Sequence, residues 1–224
     1  MEKFWHSAKQ IDEQPLAIEI GDLTAVISHM THEWRLNYHW DNQGNQARFL
    51  TRYLERSPTQ ETNGSSQHRI AMEKMTDKVS LAPQLADRPV IVRPYSPLII
   101  PANNRITLYV SIPIWLCIRF SEKISMSLPT QRLSESWMGS LTGEGELCYG
   151  SYTHARLDTE FLPKLPHRAL TPATIHNQNH KDATLERLSI PAPYLSLYQQ
   201  QEQLVTEPLK ITMDSERHRG VVQI

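Results

Sequence analysis

The chain has 224 residues and a formal net charge of −1, from 23 basic and 24 acidic side chains, which leaves no whole-protein field to draw in nucleic acid or an anionic membrane surface. Fifteen Pro against eight Gly, with five Trp and eight Tyr, suits strands ended by proline and packed on aromatic rings, a composition rare in a protein of long helices. Its two cysteines, Cys117 and Cys148, are too few for a disulfide framework and fit a reducing compartment.

The first residues, Met1 to Gln14, lack the continuous apolar stretch of a secretory signal, so the expected location is cytoplasmic. Leu16 to Ile20 and Leu23 to Ser28 read as strands around Gly21-Asp22, a hairpin turn pair. Trp34, Leu36, Tyr38 and Trp40 alternate with Arg35, Asn37 and His39, so a strand would carry four large groups on one face. Phe49, Leu50, Tyr53 and Leu54 fall at helical spacing and allow a short helix over Gln46 to Glu55. Ser57 to Gln67 has no apolar residue and reads as a flexible surface loop.

Irregular alternation from Ile70 to Leu81 precedes a short strand closed by proline, Pro89 to Pro94. The run Pro97 to Phe120 places two β-rich stretches around the turn signal Pro101-Ala102-Asn103-Asn104. Its apolar part, Ile106 to Ile118, has 13 residues and contains Pro113, whereas a membrane-spanning helix needs about 20, so it reads as buried strand. Further strands are expected at Ile124 to Leu128, Leu147 to Leu157, Ala173 to Asn177, Thr184 to Ile190, Tyr194 to Tyr198, Leu204 to Met213 and Val221 to Ile224. So many short, turn-bounded strands predict an all-β protein, a β-sandwich or two stacked sandwich modules.

Three prolines between Asp158 and Pro172 mark a connection there. On that division residues 1–157 form an N-terminal sandwich, and 173–224 are a second small module or part of the same sandwich. The triplet Ser111-Ile112-Pro113 recurs as Ser189-Ile190-Pro191 and leaves both options open.

No segment carries residues that specify a reaction, and neither a catalytic set nor a cofactor is expected. His29 and His32 stand three apart before Glu33, but in the wrong order for a helical zinc site, and they flank a turn. His176 and His180 bracket a polar stretch that reads as a hairpin, where imidazoles face solvent. Cys148 and His154 lie six residues apart on one expected strand, about 20 Å in extended backbone, too far for thiolate activation. Gly143-Glu144-Gly145-Glu146 would repel a phosphate and reads as a turn. Trp137, Met138, Tyr149 and Tyr152 sit amid turns without core alternation, and aromatic groups displayed from loops are common binding anchors. With Arg156, from a basic stretch that continues through Lys164 to Arg168, the residues Trp137, Tyr149 and Tyr152 are the candidate binding set.

Several segments resemble the bacterial branch of the family catalogued as domain of unknown function 432: Ile20-Gly21-Asp22-Leu23, His32-Glu33-Trp34-Arg35, Arg88 to Pro94, Tyr109 to Pro113, Gly143 to Tyr149, Leu185 to Leu188 and Pro193 to Tyr198. The resemblance implies no activity and supplies no catalytic residue. Similar proteins are encoded beside channels of the small-conductance mechanosensitive type, which implies an accessory protein with a channel as partner. The resulting expectation is a soluble binding or accessory protein with a protein partner or self-association. It has two rivals: a metal-dependent hydrolase or isomerase built on distant histidines, and a carbohydrate-binding module.

Overall fold

The computed structural model describes residue 5 and residues 8–41, 48–56, 65–139, 145–159, 162–213 and 221–223. In chain order the first strands are β1 (Ala8–Gln10), β2 (Leu16–Ile20), β3 (Leu23–His29), β4 (Glu33–Trp40), β5 (Phe49–Tyr53), β6 (Ser66–Ala71) and β7 (Lys78–Gln84). Then come β8 (Val90–Pro94), β9 (Leu98–Ile100), β10 (Arg105–Pro113), β11 (Trp115–Arg119) and β12 (Ser125–Pro129). They are followed by β13 (Ser134–Gly139), β14 (Gly145–Thr153), β15 (Arg168–Asn177), β16 (Ala183–Leu185) and β17 (Leu188–Ile190). The chain ends on β18 (Leu197–Gln200), β19 (Gln203–Thr206), β20 (Leu209–Met213) and β21 (Val221–Gln223). One 3₁₀ turn, Ala192–Tyr194, is the helical element among the described residues, and none there is long and apolar enough to cross a membrane. The fold is all-β.

Two compact units share the chain: residues 1–84 with 114–132, and residues 85–113 with 133–224. The apolar run Ile106 to Ile118 therefore resolves into two strands, β10 and β11, and the chain passes from the second unit back to the first after Pro113. Proline suits this passage because it removes a ladder donor and ends the strand.

In the first unit a five-stranded sheet in the order β5-β2-β3-β4-β6 is antiparallel throughout, as is a four-stranded sheet in the order β1-β7-β11-β12. Gly21 takes the left-handed φ of 57° that closes the two-residue β2–β3 hairpin, with Ile20 paired to Leu23. Along β4, Trp34, Leu36 and Tyr38 are buried and the residues between them half-buried, as the alternation requires. Trp34 meets Phe120 at 5.7 Å between ring centroids, and Trp40 Nε1 donates to the Pro129 carbonyl at 2.7 Å, so the two sheets face each other. The segment whose spacing allowed a helix is the edge strand β5, paired with β2 over its whole length. Tertiary pairing overrides the local pattern there. Of the expected loop at 57–67, residues 57–64 lie outside the described residues, and Ser66 and Gln67 begin β6.

The second unit contains a mixed sheet ordered β13-β14-β8-β17, a six-stranded sheet built around β15, and the pair β16-β9. Strand β8 is parallel to β14 and antiparallel to β17, and Val90, Ile91 and Val92 are all buried, as expected of a strand covered on both faces. The longest strand, β15, pairs with β10 over nine positions on one side and with β19 and β20 on the other. Pro163 and Pro166 precede β15, and Pro172 lies within it. Both Ser-Ile-Pro copies end strands of this same unit, β10 and β17.

Candidate functional site

A side-chain period of two decides where the candidate residues point. Tyr149 and Tyr152 are three apart on β14, so they project from opposite faces of the sheet, and the candidate set divides.

Trp137 and Tyr149 belong to the β13–β14 ladder, where Trp137 pairs with Leu147 and Glu135 with Tyr149. Pairing of β14 with β8 begins only at Tyr149, so the residues from Gly145 to Cys148 and their β13 partners form a two-stranded ribbon beyond the β8 ladder. The Trp137 indole is 48% exposed and lies over Gly145, where a Cβ would come within 2.5 Å of the ring. Only glycine fits under it. The Tyr149 hydroxyl donates to Asp87 at 3.0 Å, and Arg88 stands 5.6 Å from its ring centroid while donating to Glu135 at 2.9 Å. Burial, and then the Asp87 carboxylate, raise the Tyr149 pKa and keep the phenol protonated. Gly143 and Glu144 lie outside the described residues, while Gly145 and Glu146 open β14.

Tyr152 sits opposite Arg93 across the β14–β8 ladder. It stacks on Tyr95 with centroids 5.6 Å apart and planes at 21°, and His154 lies 4.7 Å from the Tyr95 ring. Tyr95 is 61% and Tyr152 57% exposed, and their hydroxyls make no hydrogen bond among the described residues. The Tyr95 amide donates to the Thr153 carbonyl at 3.1 Å, which fixes the two rings side by side. Ala155 then takes a left-handed φ of 46°, and Arg156 exchanges backbone hydrogen bonds with Tyr109 on β10 at 2.7 and 3.1 Å. The exposed side chains of Arg93 and Arg156 make no ion pair among the described residues.

This arrangement is held from beneath by Arg168, buried on β15. Its Nε donates to Ser111 Oγ at 2.9 Å, and its Nη2 donates to the Ser111 carbonyl at 2.7 Å, Ser151 Oγ at 3.1 Å and the Tyr152 carbonyl at 3.0 Å. One guanidinium therefore ties β10 and β14 together and fixes the backbone that carries Tyr152. Burial pushes its pKa down to about 10. Its neighbour His167 has no solvent exposure, and burial, followed by the charge of Arg168, pushes that imidazole down to about 4. His167 is neutral near pH 7.

The remaining chemistry-bearing residues are scattered. Cys148 is fully buried, with a pKa raised by burial and then by Glu146, so the thiolate is disfavoured; His154 packs on Tyr95 instead. His29 meets the Trp34 ring edge-on at 4.6 Å and His32 is exposed, both in the first unit. His176 sits 3.3 Å from Gln178 and His180 is exposed, both in the second. Among the described residues no three His, Cys, Asp or Glu side chains are grouped to hold a metal. Sequence reasoning passed over Tyr95 and Arg93, and grouped Arg168 and His167 with Arg156 and Lys164 as a basic surface stretch, whereas both are buried. Arg93 and Tyr95 could have been found, because strand alternation through Val90 to Tyr95 gives them the same parity. The clamp made by Arg168 could not, because its partners come from two distant segments, β10 and β14.

A family model described as protein of unknown function (DUF432) matches residues 4–224. The chain belongs to that family. No curated protein and no solved structure matches it. DUF432 membership spans both units, so the ribbon with Trp137 and the face with Tyr95 and Tyr152 both lie within the family region.

Proposed function

We propose that the protein is a binding or accessory module that engages a partner through aromatic side chains of its second unit, with Tyr152 and Arg156 on the principal face, the exposed Trp137 on the ribbon and the half-buried Tyr149 at the ribbon's base. The observation that carries this reading is the Tyr95–Tyr152 stack. Two large rings with free hydroxyls are kept exposed on a backbone fixed by Arg168 and by the Thr153 carbonyl. Tyrosine and arginine are the side chains that dominate protein interfaces, and rigid rings lose little conformational entropy on binding. The partner suggested by the family resemblance is a channel of the small-conductance mechanosensitive type, and self-association is the other candidate.

The test is recovery of the tagged full-length protein from gently solubilised cells, with quantitative mass spectrometry against an untagged control. A channel subunit recovered in near-stoichiometric amount, and lost when Tyr95→Ala and Tyr152→Ala are combined in a protein that melts like the parent, supports the reading. Recovery that is unchanged in the folded double variant, and also unchanged by Trp137→Ala with Tyr149→Ala, overturns it.

A further inference from the structure

We infer that the Tyr95–Tyr152 face accepts an acidic, extended segment of a protein partner; this rests on the binding reading above and names its chemistry. Three exposed arginines lie on the segments that carry or adjoin the two rings. Arg93 is directly opposite Tyr152, Arg156 follows the bend at Ala155, and Arg187 immediately precedes Leu188, whose partner is Val92. None of the three has a carboxylate partner among the described residues. Some surface arginines are closed by acids, Glu19 taking Arg48 and Arg52 and Glu33 taking Arg35 and Arg69, whereas Arg93, Arg156 and Arg187, like Arg119 and Arg132, have no such partner among the described residues. What sets Arg93 apart is its place directly opposite the exposed Tyr152.

The tyrosine hydroxyls and arginines of this face are suited to an acceptor-rich ligand. The Tyr95 and Tyr152 hydroxyls can donate, the arginines can only donate, and charge-assisted bonds to carboxylates are the strong ones. The spacing favours a chain over a single small anion. Neighbouring strands lie about 4.8 Å apart, so the row from Tyr152 through Arg93 toward Arg187 covers about 10 Å. An extended peptide presents side chains on one side every two residues, about 7 Å apart, so successive acidic residues can reach successive donors while apolar groups between them lie on the rings. A net charge of −1 supplies no long-range attraction for nucleic acid or membrane, so recognition here is local.

Labelled decaglutamate, oligothymidylate, and vesicles of equal parts phosphatidylserine and phosphatidylcholine are titrated against the full chain at low and at moderate salt. The expected result is anisotropy-detected binding of decaglutamate that weakens with salt and falls at least about tenfold in the Arg93→Glu, Arg156→Glu double variant. Thermal melting verifies that this variant is folded, and Arg93→Gln with Arg156→Gln gives an intermediate loss. Absence of peptide binding, indifference to the charge reversals, or tighter binding of the oligonucleotide or the vesicles overturns the inference. The co-purification experiment separates the two proposals. A partner lost with the tyrosine pair but kept through the charge reversals leaves the binding reading standing and removes the acidic segment; a partner kept through both removes both.

Discussion

The best-defined arginine clusters of the two units are built differently. In the first, arginine closes sheet surfaces: Arg35 and Arg69, direct neighbours across the β4–β6 ladder, both bind Glu33, at 2.6 Å each. Arg48 and Arg52 share Glu19 beside β2 and β5. In the second unit Arg168 is taken into the core to hold hydroxyl and carbonyl oxygens, Arg88 pairs with Glu135, and Arg93 stands exposed opposite Tyr152. Exposed ion pairs add little to stability because water and salt screen them and long side chains must be ordered. A buried guanidinium cannot be neutral in its effect, since each acceptor it serves has been removed from water. The comparison therefore assigns the paired arginines of the first unit a minor stabilising role and Arg168 of the second a structural one.

The largest break in that comparison is Arg168→Ala. It strips donors from Ser111, Ser151 and Tyr152 and leaves a void at the β10–β14–β15 junction. Unsatisfied buried acceptors together with the cavity are expected to cost about 4 kcal/mol, read as a lower denaturant midpoint. Because Arg168 holds the Tyr152 carbonyl, the variant also loosens the backbone that carries Tyr152, visible as faster hydrogen exchange across β14. A midpoint shift no larger than that of a surface arginine variant would remove Arg168 as the clamp.

His167 gives the next largest effect, as a pH dependence. Its folded pKa is about 4 against 6.5 for a free imidazole, because burial and then Arg168 disfavour the charged form. As pH falls below 6.5 the unfolded chain takes up a proton that the folded chain refuses, so stability falls until about pH 4 and levels off below it. The loss across that window is on the order of 3 kcal/mol. His167→Phe removes the titration and flattens the stability profile between those pH values; an unchanged slope would assign the acid sensitivity to other groups.

The strands were legible wherever their signal was local. The Gly21-Asp22 hairpin, the alternation from Trp34 to Trp40 and the proline-closed β8 depend on period and turn chemistry that neighbouring residues express. Phe49 to Tyr53 misled because a short apolar pattern fits either period, and pairing with Leu16 to Ile20 decides it. Tyr152 and Arg156 could be selected from sequence as exposed, turn-associated residues. Their association with Tyr95 and Arg93 could not, because it depends on the parallel β8–β14 register, a long-range pairing that no nearby residue encodes. Selecting Trp137 and Tyr149 with Tyr152 merged residues that the pleat places on different faces.

The two smallest predicted effects sharpen the contrast from opposite sides. Ala155 holds a left-handed φ of 46°, a conformation costly to a residue with a Cβ, at the bend that returns the chain to Tyr109 on β10. Glycine relieves that strain but adds entropy to the unfolded chain, so Ala155→Gly is expected to gain at most about 1 kcal/mol by denaturant midpoint. A loss would mean that the methyl group itself packs in the bend. Glu33→Gln is the smaller of the two. Hydrogen bonds from Arg69 and then Arg35 hold the Glu33 carboxyl below its usual range, so whatever the pair contributes is present above the unfolded carboxyl's pKa and is lost as pH falls through the lower folded one. That contribution is exposed to solvent, so the variant should differ from the parent only slightly at low salt and not at all in molar salt. A difference that persisted in molar salt would mean that Glu33 acts through the strand pairing of β4 and β6, and the first unit's arginines would then carry a structural role comparable to that of Arg168.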